Sequence, residues 1–393
     1  MKTVLVISYS NLARDPRVNR QIRWLSDHYQ VIAAGLQDPS TPGVRFISLN
    51  YAIPKKSVFA RTKSALQILA RRIEPHYWRL PSTVKGQEAL SAVQADLILA
   101  NDIEALPLAV RLAAGAPVIF DAHEYAPRQF DNTLTWRIFL QPYRAYLCRA
   151  YIPKTAVMFT VCEGIADQYR QDTGVTPIVL TNAPEYSDIS PKLKPADEPT
   201  IRMIHHGGAS PPRQIERMIQ AMSYLDSRFE LDLMLVPGSL DYINRLQKLA
   251  ERDRRIHFLP PIPMQELVQF SSRYDVGLFL VPPTTFNLRH TLPNKFFEFI
   301  QARLAIAIGP SPEMARIVRG HQCGVISPDF SAHSLASTLS KLDHTQINAF
   351  KRQSDRIARE MSAERNKKLL LDVVSGLLKE PDVSAVPGGC RRE

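Results

Sequence analysis

Short apolar runs, each trailed by a helical pattern, recur along this chain, and that alternation restricts its fold more than any other feature. The first series comprises 3–8 (TVLVIS), 31–36, 44–49, 96–100 (DLILA), 117–120 (PVIF) and 157–161 (VMFTV). The second comprises 202–206, 231–236, 256–259, 276–280, 304–308 and 324–327, with helices expected near 213–224, 239–252, 264–272, 293–303, 311–319 and 331–342. Strands this short and apolar need both faces covered, which is the condition of a parallel sheet flanked by helices. Between the series, residues 183–199 (APEYSDISPKLKPADEP) are proline-rich, polar and aperiodic, as a linker is. With 393 residues, two α/β domains are expected: 1–183, then a linker over 184–199, then 200–345. A charged helical segment over 346–380, able to return to the first domain, and a disordered tail over 381–393 complete the expectation. Ligands of open parallel sheets bind at the strands' carboxyl ends, so the cleft between the domains is the expected site.

The most informative stretch is 291–314, TLPNKFFEFIQARLAIAIGPSPEM. Pro293 suits the first position of a helix, where its missing N–H has no partner to lose. Phe296, Phe297, Phe299 and Ile300 cover most of that helix, leaving Asn294, Lys295 and Glu298 as one polar stripe. The stripe is either a solvated face with a weak surface ion pair or a ligand site. In the second case the helix N-terminus and Lys295 would meet a phosphate, and Glu298 would accept two hydrogen bonds from a sugar diol.

The net charge of +11 favours anionic partners, among which composition does not choose. Cys148, Cys162, Cys323 and Cys390 lack CxxC spacing, which argues for free thiols in a reducing compartment and against a zinc site. No run approaches the ~18 apolar residues of a membrane span. The expected location is therefore cytoplasmic, with peripheral contact to an inner membrane face as an open alternative. Lys55, Lys56, Arg61, Lys63, Arg71, Arg72, Arg79 and Lys85 surround a helical pattern at Val58, Thr62, Leu66, Leu69 and Ile73, followed by Tyr77 and Trp78. This segment, and a second one at 136–154, reads either as a basic amphipathic surface for anionic lipid or as ordinary helices packed on the sheet.

Two further stretches carry candidate chemistry. In IRMIHHGGASPPRQIERM (201–218), Gly207 and Gly208 are expected to follow a strand and allow close backbone approach, with Arg213 at the next helix start. Neither GxGxxG nor GxxxxGK[ST] is present. His205 and His206 read as strand-end residues and not as metal ligands. In DAHEY (121–125), His123 and Glu124 end a buried strand, as an acid–base pair, sugar-hydroxyl contacts or a simple surface pair. No hydrolase elbow, zinc-protease or kinase signature occurs, and no nucleic-acid motif accompanies the basic charge.

Together these stretches resemble the large GT-B-fold retaining glycosyltransferase family related to sucrose synthase and bacterial α-mannosyl- and α-glucosyltransferases. DPRVNRQIRWLSDHYQVIAAG (15–35), FTVCEGIADQY (159–169), TNAP (181–184), HHGGASPPRQIERMIQAM (205–222) and LPNKFFEFIQARLAIAIGPSPEMARIV (292–318) carry the resemblance over nearly the whole chain. It implies two Rossmann-like domains, the first on the acceptor side and the second holding a UDP- or GDP-activated sugar. Glu298 would accept from the ribose, and Arg213 and Lys295 would neutralise the diphosphate. His123 would stand near the reacting centre, and Glu124, Gly207, Gly208, Pro293 and Asn294 would complete the donor site. No metal and no cofactor beyond the nucleotide-sugar co-substrate is implied, and the leaving diphosphate must then be stabilised by Arg, Lys and backbone N–H groups. Two positions depart from the family: His290 stands where the first of two glutamates is usual, and Gly208 where a second basic residue is usual. Donor-sugar contacts near 287–292 are therefore the least defined.

The expected activity is transfer of a hexose-type sugar to a growing glycan or a lipid-linked acceptor. Rival expectations are a sugar-nucleotide epimerase or hydrolase on the same fold, and a silent sugar-nucleotide-binding partner subunit, the latter motivated by His290.

Overall fold

A computed structural model describes residues 1–51, 67–68 and 71–379 of the chain. Its described residues form two all-parallel sheets. The first contains β1 (Thr3–Ile7), β2 (Gln30–Gly35), β3 (Arg45–Ser48), β4 (Leu97–Asn101), β5 (Val118–Ala122), β6 (Val157–Thr160) and β7 (Ile178–Val179), in the order β3-β2-β1-β4-β5-β6-β7. The second contains β8 (Ile201–Ala209), β9 (Phe229–Pro237), β10 (Ile256–Leu259), β11 (Val276–Phe279), β12 (Ala305–Ile308) and β13 (Gly324–Ile326), in the order β10-β9-β8-β11-β12-β13. In each sheet the strand order reverses beside the first strand, and a crevice opens there at the carboxyl ends. The two crevices face each other.

The local reasons are plain in the sequence. Val4 to Ile7 of β1 are all buried, because helices cover both faces of the sheet. The helix Pro16–Ser26 starts where expected: Asp15 caps it by accepting from the Arg17 and Val18 amides, with Pro16 in the first turn. β7 escaped the sequence reading because two residues carry no pattern. β8 runs three residues beyond the expected strand and absorbs Gly207 and Gly208, which pair with Leu235 and Val236 of β9. The long charged segment is two helices, His344–Ile357 and Ala363–Leu378. Ile347 of the former is buried with the second sheet. Leu370 and Val374 of the latter are buried with Val4, Val6, Leu97 and Leu99 of the first. The connection between the domains is tied down: the fully buried Arg303 guanidinium donates to the Ser187 carbonyl (2.8 Å) and to Asp355 (2.7 Å), and Lys194 pairs with Asp275 (2.8 Å).

The interfacial-aromatic reading needs correction. Tyr77 is 2% exposed and donates to the Glu104 carbonyl, while half-buried Trp78 donates its indole N–H to Glu74. Both rings serve the protein interior because their polar tips find partners there. The basic residues 55–63 that preceded them in that reading, like the 381–393 tail and Cys390, lie outside the described residues. In the second segment Trp136, Tyr143 and Tyr151 are buried, and the exposed large apolar side chains are Ile138 and Leu140, with Phe130 and Leu134 just ahead of it. Cys148, Cys162 and Cys323 are free and buried. Among the described residues no helix is long and apolar enough to cross a membrane.

One buried ion pair ties the first sheet to the start of the linker. Arg17 meets both oxygens of fully buried Asp121 at 2.7 Å and donates to the Leu180 carbonyl (2.7 Å) and Asn182 (3.0 Å), while Gln21 also donates to Asp121. Burial alone would raise the Asp121 carboxyl, but the Arg17 charge and hydrogen bonds, with His123 and Gln21, hold it below the usual range. Arg17→Met strands that carboxylate and is expected to cost about 3–5 kcal/mol in urea denaturation, whereas Arg17→Met/Asp121→Leu recovers most of the loss. Because the folded-state carboxyl is depressed, the wild-type contribution is present above the unfolded value and lost as pH falls through the folded one. The double variant is expected to lack that acid-limb dependence; equal losses in the single and double variants would contradict this account.

Candidate functional site

A cavity of about 860 Å3 lies between the carboxyl ends of the two sheets. Pro293 and Asn294 line it, with Pro293 as the N-cap and Asn294 as the first residue of the helix Asn294–Gln301, one position later than expected. Glu124 and His123 line the opposite wall. Lys295, Glu298, Arg213, Gly207 and Gly208 complete the set of expected residues, so the fold brings all of them to one cavity.

The solvated-face reading of the polar stripe is overturned. Lys295 is 6% exposed and Glu298 7%. Burial, with Arg213 nearby and partly offset by Glu298, brings the Lys295 ammonium down to about 7. Burial, partly offset by Lys295 and by Arg20 of the first domain, lifts the Glu298 carboxyl to about 7. The ammonium donates to His205 Nε2 (3.4 Å), and the other ring nitrogen of His205 donates to the Leu278 carbonyl (2.8 Å), which fixes the tautomer. Burial and the Lys295 charge hold His205 well below the ordinary imidazole range. His206 is brought to about 3 by the same causes; its Nδ1 lies 3.7 Å from Glu298, and its buried Nε2 has no partner. Gly207 makes this approach feasible. Its φ is +106°, and a Cβ there would sit 3.0 Å from the Lys295 amine. The glycines are thus strand residues that admit Lys295, where a turn after the strand was expected. Arg213, expected at a helix start, ends the short 3-10 turn Pro211–Arg213, three residues before the helix Glu216–Met222.

On the facing wall the expected His123–Glu124 pair does not form. Adjacent residues at a strand end diverge: His123 Nε2 lies 3.1 Å from the Asn101 side-chain oxygen and 3.7 Å from Asp121, and Nδ1 lies 3.5 Å from Asp102. Glu124 instead accepts from Asn287 of the second domain (3.2 Å). Asn287 also accepts from the Tyr125 amide (2.9 Å), and His290 lines the cavity with Nδ1 3.2 Å from Glu313. Glu313 in turn accepts from the Gly164 amide of the first domain (3.0 Å). Sequence reasoning placed Asn287 only within a loosely defined donor-sugar stretch and missed Glu313, because the partners of both lie across the cleft; His206, read as a strand-end residue, gave no sign of its contact with Glu298.

The arrangement offers charge and hydrogen bonds suited to a diphosphate at Lys295 and Arg213, and a carboxylate for a diol one helical turn further on. No sequence-family model matches the chain, and no curated protein matches it in sequence. Solved structures do match in three dimensions. The fold is GT-B. Sucrose-phosphate synthase from Thermosynechococcus elongatus superposes with a TM-score of 0.72 at 13% identity, over 96% of this chain and 99% of that one. HepE from Anabaena, in complex with UDP and glucose, gives 0.64 at 13% identity, over 96% and 100%. WaaG, a glycosyltransferase involved in lipopolysaccharide biosynthesis, gives 0.65 at 12%, over 95% and 100%.

An ammonium buried without a bonded carboxylate destabilises the empty protein. Its folded-state value is depressed, so the cost is full below about pH 7 and fades as pH rises toward 10.5. Lys295→Met is therefore expected to stabilise the ligand-free protein at pH 6 by about 1–4 kcal/mol in urea denaturation, with the gain shrinking by pH 9. A loss of stability at pH 6 would contradict the burial argument.

Proposed function

We propose that the chain is a metal-independent glycosyltransferase of the sucrose-synthase-related retaining family, moving a sugar from a nucleoside-diphosphate donor to a glycan or lipid-linked acceptor. The observation that carries this reading is the buried Lys295–His205–His206–Glu298 cluster at the N-terminus of a helix, with Arg213 opposite. The diphosphate sits on Lys295, Arg213 and the helix N-terminus, with Gly207 and Gly208 letting it approach the strand end. Glu298 accepts from the ribose hydroxyls, and the free His206 Nε2 supplies a further contact beside it. The sugar extends toward His123, Glu124 and Asn287. In the retaining reaction the bond from the anomeric carbon to the phosphate oxygen breaks as the acceptor oxygen bonds to that carbon on the same face. The acceptor's proton passes to the departing phosphate oxygen. UDP is the first base to test, since HepE was solved with UDP and glucose.

One observation supports a second reading, a nucleotide-binding subunit without turnover: His290 stands where a donor-sugar carboxylate is expected. The first experiment is calorimetric titration of UDP and GDP, without metal, into wild type and Glu298→Ala. One nucleotide is expected to bind, and the variant to lose about 1.5–3 kcal/mol, the worth of hydrogen bonds to a charged group. No binding to wild type, or an unchanged affinity in the variant, sinks the donor-site assignment. Binding without sugar transfer or hydrolysis of the cognate nucleotide sugar favours the subunit reading.

A peripheral membrane position for a lipid-linked acceptor is supported by exposed Leu134, Ile138 and Leu140, which run on from Phe130 at the cavity wall. Flotation with anionic vesicles is expected to carry the wild type, and Leu134→Ser/Ile138→Ser to remain behind. Absence of wild-type flotation removes this element.

A further inference from the structure

Lys295 and Glu298 stand about one turn apart on the helix Asn294–Gln301, line the same cavity and are both buried. Among the described residues no ion pair joins them. The Lys295 amine has one hydrogen-bond partner there, the uncharged His205 Nε2 at 3.4 Å. The Glu298 carboxyl has none: His206 Nδ1 lies 3.7 Å away, beyond hydrogen-bond reach. A charge buried without a bonded counter-charge neutralises in preference to staying ionised. Here two such groups of opposite sign face one cavity, so each has a neutral form to fall back on.

The groups around the pair keep one charge state near neutrality. From β8 come His205 and His206, both held uncharged by burial and by the Lys295 charge, His206 at about 3 and His205 well below its ordinary range. The turn Pro211–Arg213 brings Arg213, and β11 brings the Phe279 ring, its centroid 5.3 Å from the amine. From the first domain comes Arg20, on the helix Pro16–Ser26, whose charge favours the Glu298 carboxylate. Burial brings Arg20 down to about 10, which still leaves it charged. Lys295 and Glu298 are thus the members of this cluster that change charge near neutrality. Burial, the largest influence on each, leaves both titrating at about 7.

We propose that the empty site shares one proton between Lys295 and Glu298, and that the bound donor fixes it on Lys295: the diphosphate holds the ammonium while the ribose hydroxyls donate to the carboxylate. The inference rests on the donor-site reading above and adds how that site is regulated. The proton leaves the Glu298 carboxyl and reaches the Lys295 amine through solvent in the open cavity, and no bond of the donor changes. Below neutrality the empty site carries an extra proton on Glu298, which binding must expel. Above neutrality it lacks one on Lys295, which binding must take up. Affinity for the donor is therefore greatest near neutrality and falls on both sides. The two ends of one molecule set the two limbs of its pH profile: the ribose the acid limb, the diphosphate the alkaline one.

The test is calorimetric titration of UDP-glucose and GDP-mannose into the full chain at pH 6 and pH 8, each in two buffers of different ionisation enthalpy. Both probes are diphosphate diesters and lack the last proton of a terminal phosphate, which leaves at about pH 6. Release of most of one proton per ligand is expected at pH 6, and uptake of most of one at pH 8, with weaker binding at both than at pH 7. Glu298→Gln, always neutral, is expected to lose the release and keep the uptake. Lys295→Arg, always charged, is expected to lose the uptake and keep the release. Thermal melting reports that each variant is folded; where one binds too weakly to titrate, the limb lost in the other decides, and the wild-type change of sign decides if both do. Wild-type binding with no exchange, or with exchange of one sign at both pH values, overturns the proposal and leaves the donor reading standing. Exchange that persists unchanged in both variants, as titration of His123 or His290 elsewhere in the cavity would give, overturns it too. Binding of neither nucleotide sugar to the wild type at any pH removes the donor reading, and this inference with it.

Discussion

Lys295 is a cation taken out of water without a carboxylate bonded to it, and much of the second domain is arranged around tolerating that. Its partner is a neutral imidazole, His205, whose proton is placed on the far nitrogen by the Leu278 carbonyl so that the near one can accept. The strand beside it gives up side-chain bulk at Gly207 to admit the amine. Glu298, one turn along the same helix, is close enough to offset the charge in part, yet burial leaves both groups titrating near neutrality. Buried polar groups held in this unsatisfied, shifted condition cluster at functional sites more than in ordinary cores.

The second constraint is that the cleft has two walls from different domains, and they are joined by hydrogen bonds at its rim. Asn287 meets Tyr125 and Glu124, Glu313 meets Gly164, and the Cys162 thiol donates to the His290 carbonyl at 3.2 Å. Phe286 adds a ring contact to Tyr125 and lies under the Arg128 guanidinium. These polar contacts sit beside apolar ones, since Tyr125, Val161 and Ile165 of the first domain share one buried cluster with Phe286 and Leu292 of the second. His290 belongs to this rim as much as to the cavity, since its Nδ1 is engaged by the same Glu313 that holds the first domain.

The fold was legible in the sequence because parallel strands, buried on both faces, are written as continuous apolar runs that need no partner to be recognised. Asp15 and Pro16 marked a helix start for the same reason: the cap is a local device. What failed was whatever depended on distant neighbours. The stripe of Asn294, Lys295 and Glu298 looked equally like a surface, because spacing cannot tell a solvated face from one pressed against β8. Tyr77 and Trp78 looked interfacial until their polar tips were found bonded to Glu104 and Glu74. Glu124 looked like the partner of His123, its neighbour in sequence, but its hydrogen bond crosses to the other domain. Gly207 and Gly208 read as a turn, since the length of β8 is set by pairing with β9 and not by its own residues.

His123 is where these constraints converge. Its Nε2 side is held by Asn101 and lies near Asp121, and Asp121 is the carboxylate that Arg17 shares with the carbonyl of Leu180 and the side chain of Asn182. The imidazole on the cavity wall is thus connected, through one buried ion pair, to the point where the chain leaves the first domain. Its Nδ1 side faces Asp102 at the end of β4, and the ring lines the cavity between the domains. That follows from topology: β4 flanks the switch point of the first sheet and β5 pairs beside it, with Asn101 opposite Asp121, so the ends of these two strands must deliver Asn101, Asp102 and His123 to the same few ångströms.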